Sequence, residues 1–345
     1  MYDAALALGQ MPPSFTTSEA AAAGISRRVL SRLVRRSQLI RVQQGVYQQN
    51  PGAEEATERW RMLESEHLAR SRAALLAHPC HALSHQSAAL VMGLPVLLHS
   101  DAFVHLTALM VQPRSRRVAD RVLHHSDSIS NEVVEVGGFR LLSPDRTVAD
   151  CLRTMRPAHG VAIADQAVRS GATTIRDVQL MIDAQRRWRG RPKAAAALRL
   201  VDPRRETWLE SYSFVTLHSL GIDLPSPQVE VFDELARFVG RVDGMWISDG
   251  VVAEADGPGK YLMGLGDDDG PSGRAAALRV VAEKSREDDL RCLGLELVRW
   301  DTQQIRHQPL EVARRVAIAR SRGDVGRFIG RLRVDGRWLD PSEHR

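Results

Sequence analysis

One stretch constrains the fold of this chain more than any other: Arg237 to Gly257, RFVGRVDGMWISDGVVAEADG. Apolar and polar residues alternate on both sides of Asp249-Gly250. Asp-Gly between alternating runs is a strong local hairpin signal, because both residues tolerate the positive φ of a tight turn. A two-residue turn there sets Ser248 opposite Val251, Met245 opposite Glu254 and Asp243 opposite Asp256. Residues two apart on a strand share a face, so Glu254 and Asp256 point the same way, beside Asp243 across the ladder. Like charges at neighbouring positions are unfavourable in a sheet. Such a face is therefore either wet or neutralised by a cation, and an oxygen-only set of this kind suits Mg²⁺ or Mn²⁺. Val242, Val251, Val252 and Ala253 predict that the other face is buried.

With 345 residues the chain can hold two or three domains with cores of their own. A composition 43% hydrophobic and 26% charged is that of a soluble globular protein. No apolar run reaches membrane-spanning length and MYDAALALGQMPPS lacks a signal-peptide layout, so the expected location is the cytoplasm and no membrane partner is expected. Cys80, Cys151 and Cys292 are odd in number and scattered, which argues against a disulfide framework. A net charge of +5 permits a polyanionic partner, and the clustering of the arginines says more than the total.

The first cluster opens the chain. Residues Thr16 to Asn50 predict a short helix (Ser18 to Ala23), a turn at Gly24 and a second helix capped by Ser26, with Ile25, Val29 and Leu33 spaced to face a core. Arg27, Arg28, Arg32, Arg35 and Arg36 crowd the other side of that helix. Arg41 follows in the first of two β-like runs around Gln43-Gln44-Gly45. Helix, turn, basic helix and hairpin is the order of a winged helix-turn-helix, whose second helix enters the major groove. The alternative is an ordinary charged face. No acid lies between Arg27 and Arg41, and such a concentration is costly in self-repulsion unless phosphates answer it, so these six arginines are the expected contacts to double-stranded DNA.

The segment ISRRVLSRLVRRSQLIRVQQGVY resembles the N-terminal domain of AbiEi-type antitoxins. ALSHQSAALVMGLP (Ala82 to Pro95), VHLT (Val104 to Thr107) and LSPDRTVADCLR (Leu142 to Arg153) are similar to the middle region of the same group. The resemblance covers roughly the first half of the chain. It implies a transcriptional regulator that represses its own operon through the winged helix, with a nucleotidyltransferase-type toxin as a partner.

The middle region reads as an α+β scaffold, with helices from Ala53 to Leu76 and Ser84 to Met92 and short strands near Ala102 to Thr107, Arg121 to His125 and Gly138 to Leu142. His67, His78, His81, His85, His99, His105, His124 and His125 concentrate there. His81 and His85, with Cys80, invite a zinc reading; capping, surface or phosphate-contacting roles are the alternatives. Arg114, Arg116, Arg117 and Arg121 form a second basic run, read equally as a solvated loop or a DNA contact. In the basic linker RRWRGRPK, Trp188 either stacks on a base or packs at a domain seam.

Beyond Pro203 the pattern predicts a helix from Glu206 to Leu220, a strand from Pro227 to Phe232, the central hairpin, a Gly/Asp-rich loop from Leu262 to Gly273, a helix from Arg274 to Leu293 and a strand from Leu295 to Trp300. This order, with the carboxylates of the hairpin, resembles the PD-(D/E)xK, restriction-endonuclease-like fold in the compact version similar to very-short-patch-repair endonucleases. The resemblance implies that Asp243 and Glu254, with Asp256, bind Mg²⁺ or Mn²⁺. It further implies that Lys260 or Lys284 orients the attacking water and that Glu210 or Glu206 serves the outer shell of the metal. One departure is plain: Asp256 stands where the family has its lysine. A domain without that lysine can persist as a DNA- or partner-binding surface. The expected fold class is an α+β winged helix-turn-helix (1–52), an α+β middle module (53–203), an α/β endonuclease-like domain with a mixed central sheet (204–310) and a helical, basic tail (311–345).

Overall fold

Reciprocal hydrogen bonds fix the start of the first helix. The Thr16 hydroxyl accepts the Glu19 N–H at 3.1 Å and the Glu19 carboxylate accepts the Thr16 N–H at 2.6 Å. Around this cap the computed structural model, which describes residues 7–50, 59–110, 114–125, 132–257 and 284–339, places β1 (Ser14–Thr16), α1 (Thr17–Ala22), α2 (Arg27–Arg35), β2 (Leu39–Gln43) and β3 (Val46–Gln49). Gly24, at φ +78°, makes the turn between the helices, and Ser26 caps α2. The strands pair in the order β1-β3-β2 over a core of Phe15, Ala20, Ile25, Leu30, Leu39 and Tyr47. Leu30, rather than Val29 or Leu33, is the residue of α2 that is fully buried.

The chain forms two compact units, Met1–Met155 with Ser170–Ala195, and Arg156–Arg169 with Ala196–Arg345. The first contains, after β3, the helix α3 (Arg59–Ala77), β4 (His81–Leu83), α4 (His85–Val91), β5 (Val104–Ala108), β6 (Arg116–Val118), β7 (Arg121–His124), β8 (Val133–Val136), β9 (Phe139–Leu142) and α5 (Pro144–Thr154). Then come α6 (Pro157–Arg169), which belongs to the second unit, and α7 (Ile175–Ala184) and α8 (Arg191–Leu198). Strands β4 to β9 form one mixed sheet, β6-β7-β5-β4-β9-β8, parallel at β5/β7 and β4/β9. Trp188 lies under Arg146 and Arg153, whose guanidinium carbons are 4.7 and 5.1 Å from its ring, so it packs within the first unit.

The second unit is built on α9 (Trp208–Ser219), β10 (Ser226–Phe232), β11 (Phe238–Trp246), β12 (Val251–Asp256), α10 (residues 284–292), β13 (Glu296–Asp301), α11 (Thr302–His307), α12 (Pro309–Arg322), β14 (Arg331–Val334) and β15 (Arg337–Leu339). Its six strands run β13-β12-β11-β10-β14-β15, with β12/β13 parallel and the other pairs antiparallel. One core joins Phe214 of α9, Val312 and Val316 of α12, and Trp246, Val251 and Trp300 of the sheet. A second joins Leu290 and Leu293 to Val242, Met245 and Val252. The C-terminal stretch read as a helical, basic tail thus also supplies two strands, β14 pairing with β10.

The central hairpin departs from its expected register. Trp246 pairs with Val251, Met245 with Val252 and Gly244 with Ala253, and Ile247–Asp249 form a single 3₁₀ turn closed by Gly250 at φ +66°. The turn is longer because Ile247 is buried and the Asp249 carboxylate is taken by Arg320, so Asp249-Gly250 cannot serve as a two-residue loop. The pairing slips by two residues. A slip of two preserves the face of every side chain, whereas a slip of one would invert it.

Candidate nucleic-acid interface and carboxylate cluster

At 100° per residue, Arg28, Arg32 and Arg35 form one stripe on α2, opposite the buried Leu30. All six sequence-predicted arginines, Arg27, Arg28, Arg32, Arg35, Arg36 and Arg41, are exposed, Arg41 lying on β2 of the hairpin that follows. None makes an ion pair among the described residues. The segment is anchored through Glu19, whose carboxylate meets the Arg72 guanidinium of α3 at 2.8 Å. Burial pushes the Glu19 carboxyl up, but the Thr16 N–H and Arg72 outweigh it and hold the group below its ordinary range. With Glu19 held by Arg72, the arginine stripe is the solvent-facing feature of the segment.

In the second unit the structure places Asp243 on β11 and Glu254 and Asp256 on the adjacent β12, the last two only 1% and 5% exposed. Buried carboxylates must be paired or hydrogen-bonded. Asp243 Oδ2 accepts the Ala255 N–H at 2.8 Å. Glu254 Oε1 accepts Arg286 Nη1 at 3.1 Å, and the two Asp256 oxygens receive Arg299 Nε and Nη2 at 3.0 and 3.3 Å. Arg299 also reaches Glu287, at 3.1 Å. Parallel pairing sets Arg299 beside Glu254, from where its fork spans to Asp256.

Glu210 caps its own helix. Its carboxylate accepts the Glu206 N–H at 2.9 Å, the Thr207 N–H at 3.2 Å, the Thr207 hydroxyl at 2.9 Å and Gln228 Nε2 at 2.8 Å. Burial, and next the negative charge of Asp243, push its carboxyl upward despite those donors. Glu206 is bound instead to Arg169 and Arg241, at 3.3 and 2.8 Å. Lys284 is exposed at the start of α10, and Lys260 lies outside the described residues.

A divalent-cation cage needs several oxygens converging on one point about 2.1 Å away. Among the described residues Asp243, Glu254 and Asp256 do not bring three oxygens within 4.8 Å of one another. In this arrangement guanidinium and main-chain N–H groups compensate them. The sequence reading gives Arg286 and Arg299 no role. Arg299 was open to detection through the parallel β12/β13 register, while Arg286 depends on how α10 lies on the sheet.

Residues 5–48 match the family model described as "Transcriptional regulator, AbiEi antitoxin", a span that runs from before β1 into β3 and contains all six arginines. No curated protein matches the chain. No helix among the described residues is long and apolar enough to cross a membrane.

Proposed function

We propose that the chain is a double-stranded-DNA-binding transcriptional regulator of the antitoxin type, in which α2 is the recognition helix of a winged helix-turn-helix and the β2–β3 hairpin is its wing. The observation that carries this reading is the exposed stripe of Arg28, Arg32 and Arg35 inside the segment that matches the regulator family. Helix-turn-helix modules place their second helix in the major groove, where arginine contacts both phosphates and guanine edges. Electrophoretic retardation of duplex carrying the chain's own upstream sequence tests it. Arg28→Ala and Arg32→Ala should each weaken binding, and each lost phosphate contact should lower the salt slope by about 0.9. Retardation unaltered by both replacements together would remove α2 as the reading element. The family also suggests a toxin of the nucleotidyltransferase type as partner, which co-purification of the chain with the product of an adjacent gene would test.

A second reading, Mg²⁺- or Mn²⁺-dependent DNA cleavage by the second unit, is favoured by one observation: adjacent strands carry Asp243, Glu254 and Asp256, with Glu210 electrostatically coupled to Asp243. It requires Arg286 and Arg299 to release their carboxylates. Duplex incubated with either cation or with chelator decides it. Cleavage dependent on metal and abolished in Glu254→Ala supports this reading, and uncut duplex retires it.

A further inference from the structure

The first unit contains a constellation that neither DNA binding nor the carboxylate cluster uses. His105 on β5 and His124 on β7 lie on neighbouring parallel strands, two register positions apart (His105 pairs with Val122, Thr107 with His124), so both face the same side. His85 opens α4 on that side, with its backbone at φ +51°, a conformation that costs a non-glycine residue energy. The main chain is tied there: the Ser84 N–H donates to the His105 carbonyl at 3.0 Å and the His105 N–H donates to Ser87 Oγ at 2.9 Å.

His105 Nδ1 lies 2.9 Å from His124 Nε2, and the His85 ring stacks on that of His124 with centroids 3.9 Å apart. One ring nitrogen from each of the three falls within 4.8 Å of the others, the single such His/Cys/Asp/Glu grouping among the described residues. His85 is 2% exposed; its Nδ1 is 3.0 Å from Ser84 Oγ, and its Nε2 is buried without a hydrogen-bond partner. A buried polar atom left unpaired is costly. We infer that His85, His105 and His124 form a binding site for a late first-row divalent cation, Zn²⁺ by preference, with one coordination position left open.

Nitrogen-only ligation by imidazole suits Zn²⁺, Co²⁺, Ni²⁺ and Cu²⁺ rather than Mg²⁺. Tetrahedral bonds of about 2.0 Å separate ligand nitrogens by roughly 3.3 Å, so the His105–His124 pair needs to open by a few tenths of an ångström and His85 to tilt from its stack. Both imidazoles of the hydrogen-bonded pair are neutral. Ligation by both changes the tautomer of one, moving its proton to the opposite ring nitrogen, and releases no proton to solvent. Counter-charge is close: buried Asp150, electrostatically coupled to His105 and His124, is held by Arg146 and Arg153 at 2.9 Å and by Gln185 at 3.0 Å. Its oxygens are thus committed to donors, which makes it an outer partner and not a ligand. Of Cys80, His81 and His85, the residues that invite a zinc reading in the sequence, only His85 takes part; His81 is on β4 and Cys80 is exposed.

Co²⁺ titration of the chelator-treated full chain tests the site, in a Cys80→Ser, Cys292→Ser background because both thiols are exposed. One equivalent should give the visible absorption of low-symmetry nitrogen-bound cobalt, bleached by Zn²⁺. His124→Gln should lose at least a hundredfold in affinity, Ser84→Ala about tenfold through the freed His85 ring, and exposed His99→Gln nothing. If His124→Gln fails to fold, the ring-nitrogen resonances of wild-type His85, His105 and His124 decide: all three shift on adding Zn²⁺, or the inference fails. It fails equally if wild type shows no stoichiometric spectrum, or if a folded His124→Gln keeps it.

Discussion

Single residues decide how this chain responds to acid. Four imidazoles, His67, His85, His105 and His124, are held neutral, burial being the first cause for each. His67 lies at about 4, with its Nε2 2.9 Å from Ser87 Oγ. In the unfolded chain each titrates near 6.5. Above that pH both states are neutral and stability is at its full value. Below it the unfolded chain takes up protons that the folded chain refuses, so stability falls as pH drops from 6.5 toward 4. Urea unfolding at pH 7 and at pH 5.5 should show a clearly lower midpoint at the acid value; equal midpoints would mean these rings are not buried neutral. The carboxylate cluster makes the opposite kind of demand, for charge. Arg286→Ala should cost about 2–4 kcal/mol by leaving the Glu254 carboxylate under-compensated inside the sheet. Pairing it with Glu254→Gln should recover most of the loss, and a single-variant effect below about 0.5 kcal/mol would show the ion pair to be ornamental at equilibrium.

Elements were more legible than their pairing. The periodicities of α2, α4, β5 and β7 are local properties, and the structure places each within a few residues of where alternation and capping put it. The hairpin register was not local: it depends on Ile247 finding a core and Asp249 finding Arg320, partners 71 positions apart in the second case. The three-histidine cluster was illegible for the same reason, since only parallel pairing of β5 with β7 brings His105 to His124, 19 positions on. Gly244 shows the element scale at its tightest. A Cβ there would stand 2.7 Å from Phe214 Cζ and 3.0 Å from Pro225 Cγ, so its absence lets α9, with Glu210, come down onto β11 beside Asp243. Phe214 is fully buried and has nowhere to retreat. Gly244→Ala should therefore destabilise by about 1–3 kcal/mol through overpacking, read as a fall in melting temperature. A neutral outcome would mean that α9 is free to lift away from the strand.

At the scale of the whole molecule the chain does not run through its units in sequence order. Helix α6 belongs with residues 196–345 although residues 170–195 belong with the first unit, so a boundary at Pro203 leaves α6 outside the second unit. The physical tie is strong. Val161, Ala162, Ile163, Ala164 and Ala167 of α6 are buried, and Asp165 bonds buried Arg205 at 2.9 Å and the Asp202 N–H at 2.7 Å. A fragment of residues 196–345 strips apolar cover from α9 and leaves the Arg205 guanidinium buried without its carboxylate, a loss of about 3–5 kcal/mol from the ion pair alone. That is a large part of the stability of an ordinary domain. The fragment should therefore show poor amide dispersion and no cooperative thermal transition. Joining 156–169 to 196–345 through a long Gly/Ser linker restores the helix without the intervening segment, and should restore both signals. Cooperative unfolding of 196–345 alone, at the temperature of the linked version, would show that α6 contributes nothing to the sheet unit and that the unit's integrity rests on the strands β10 to β15.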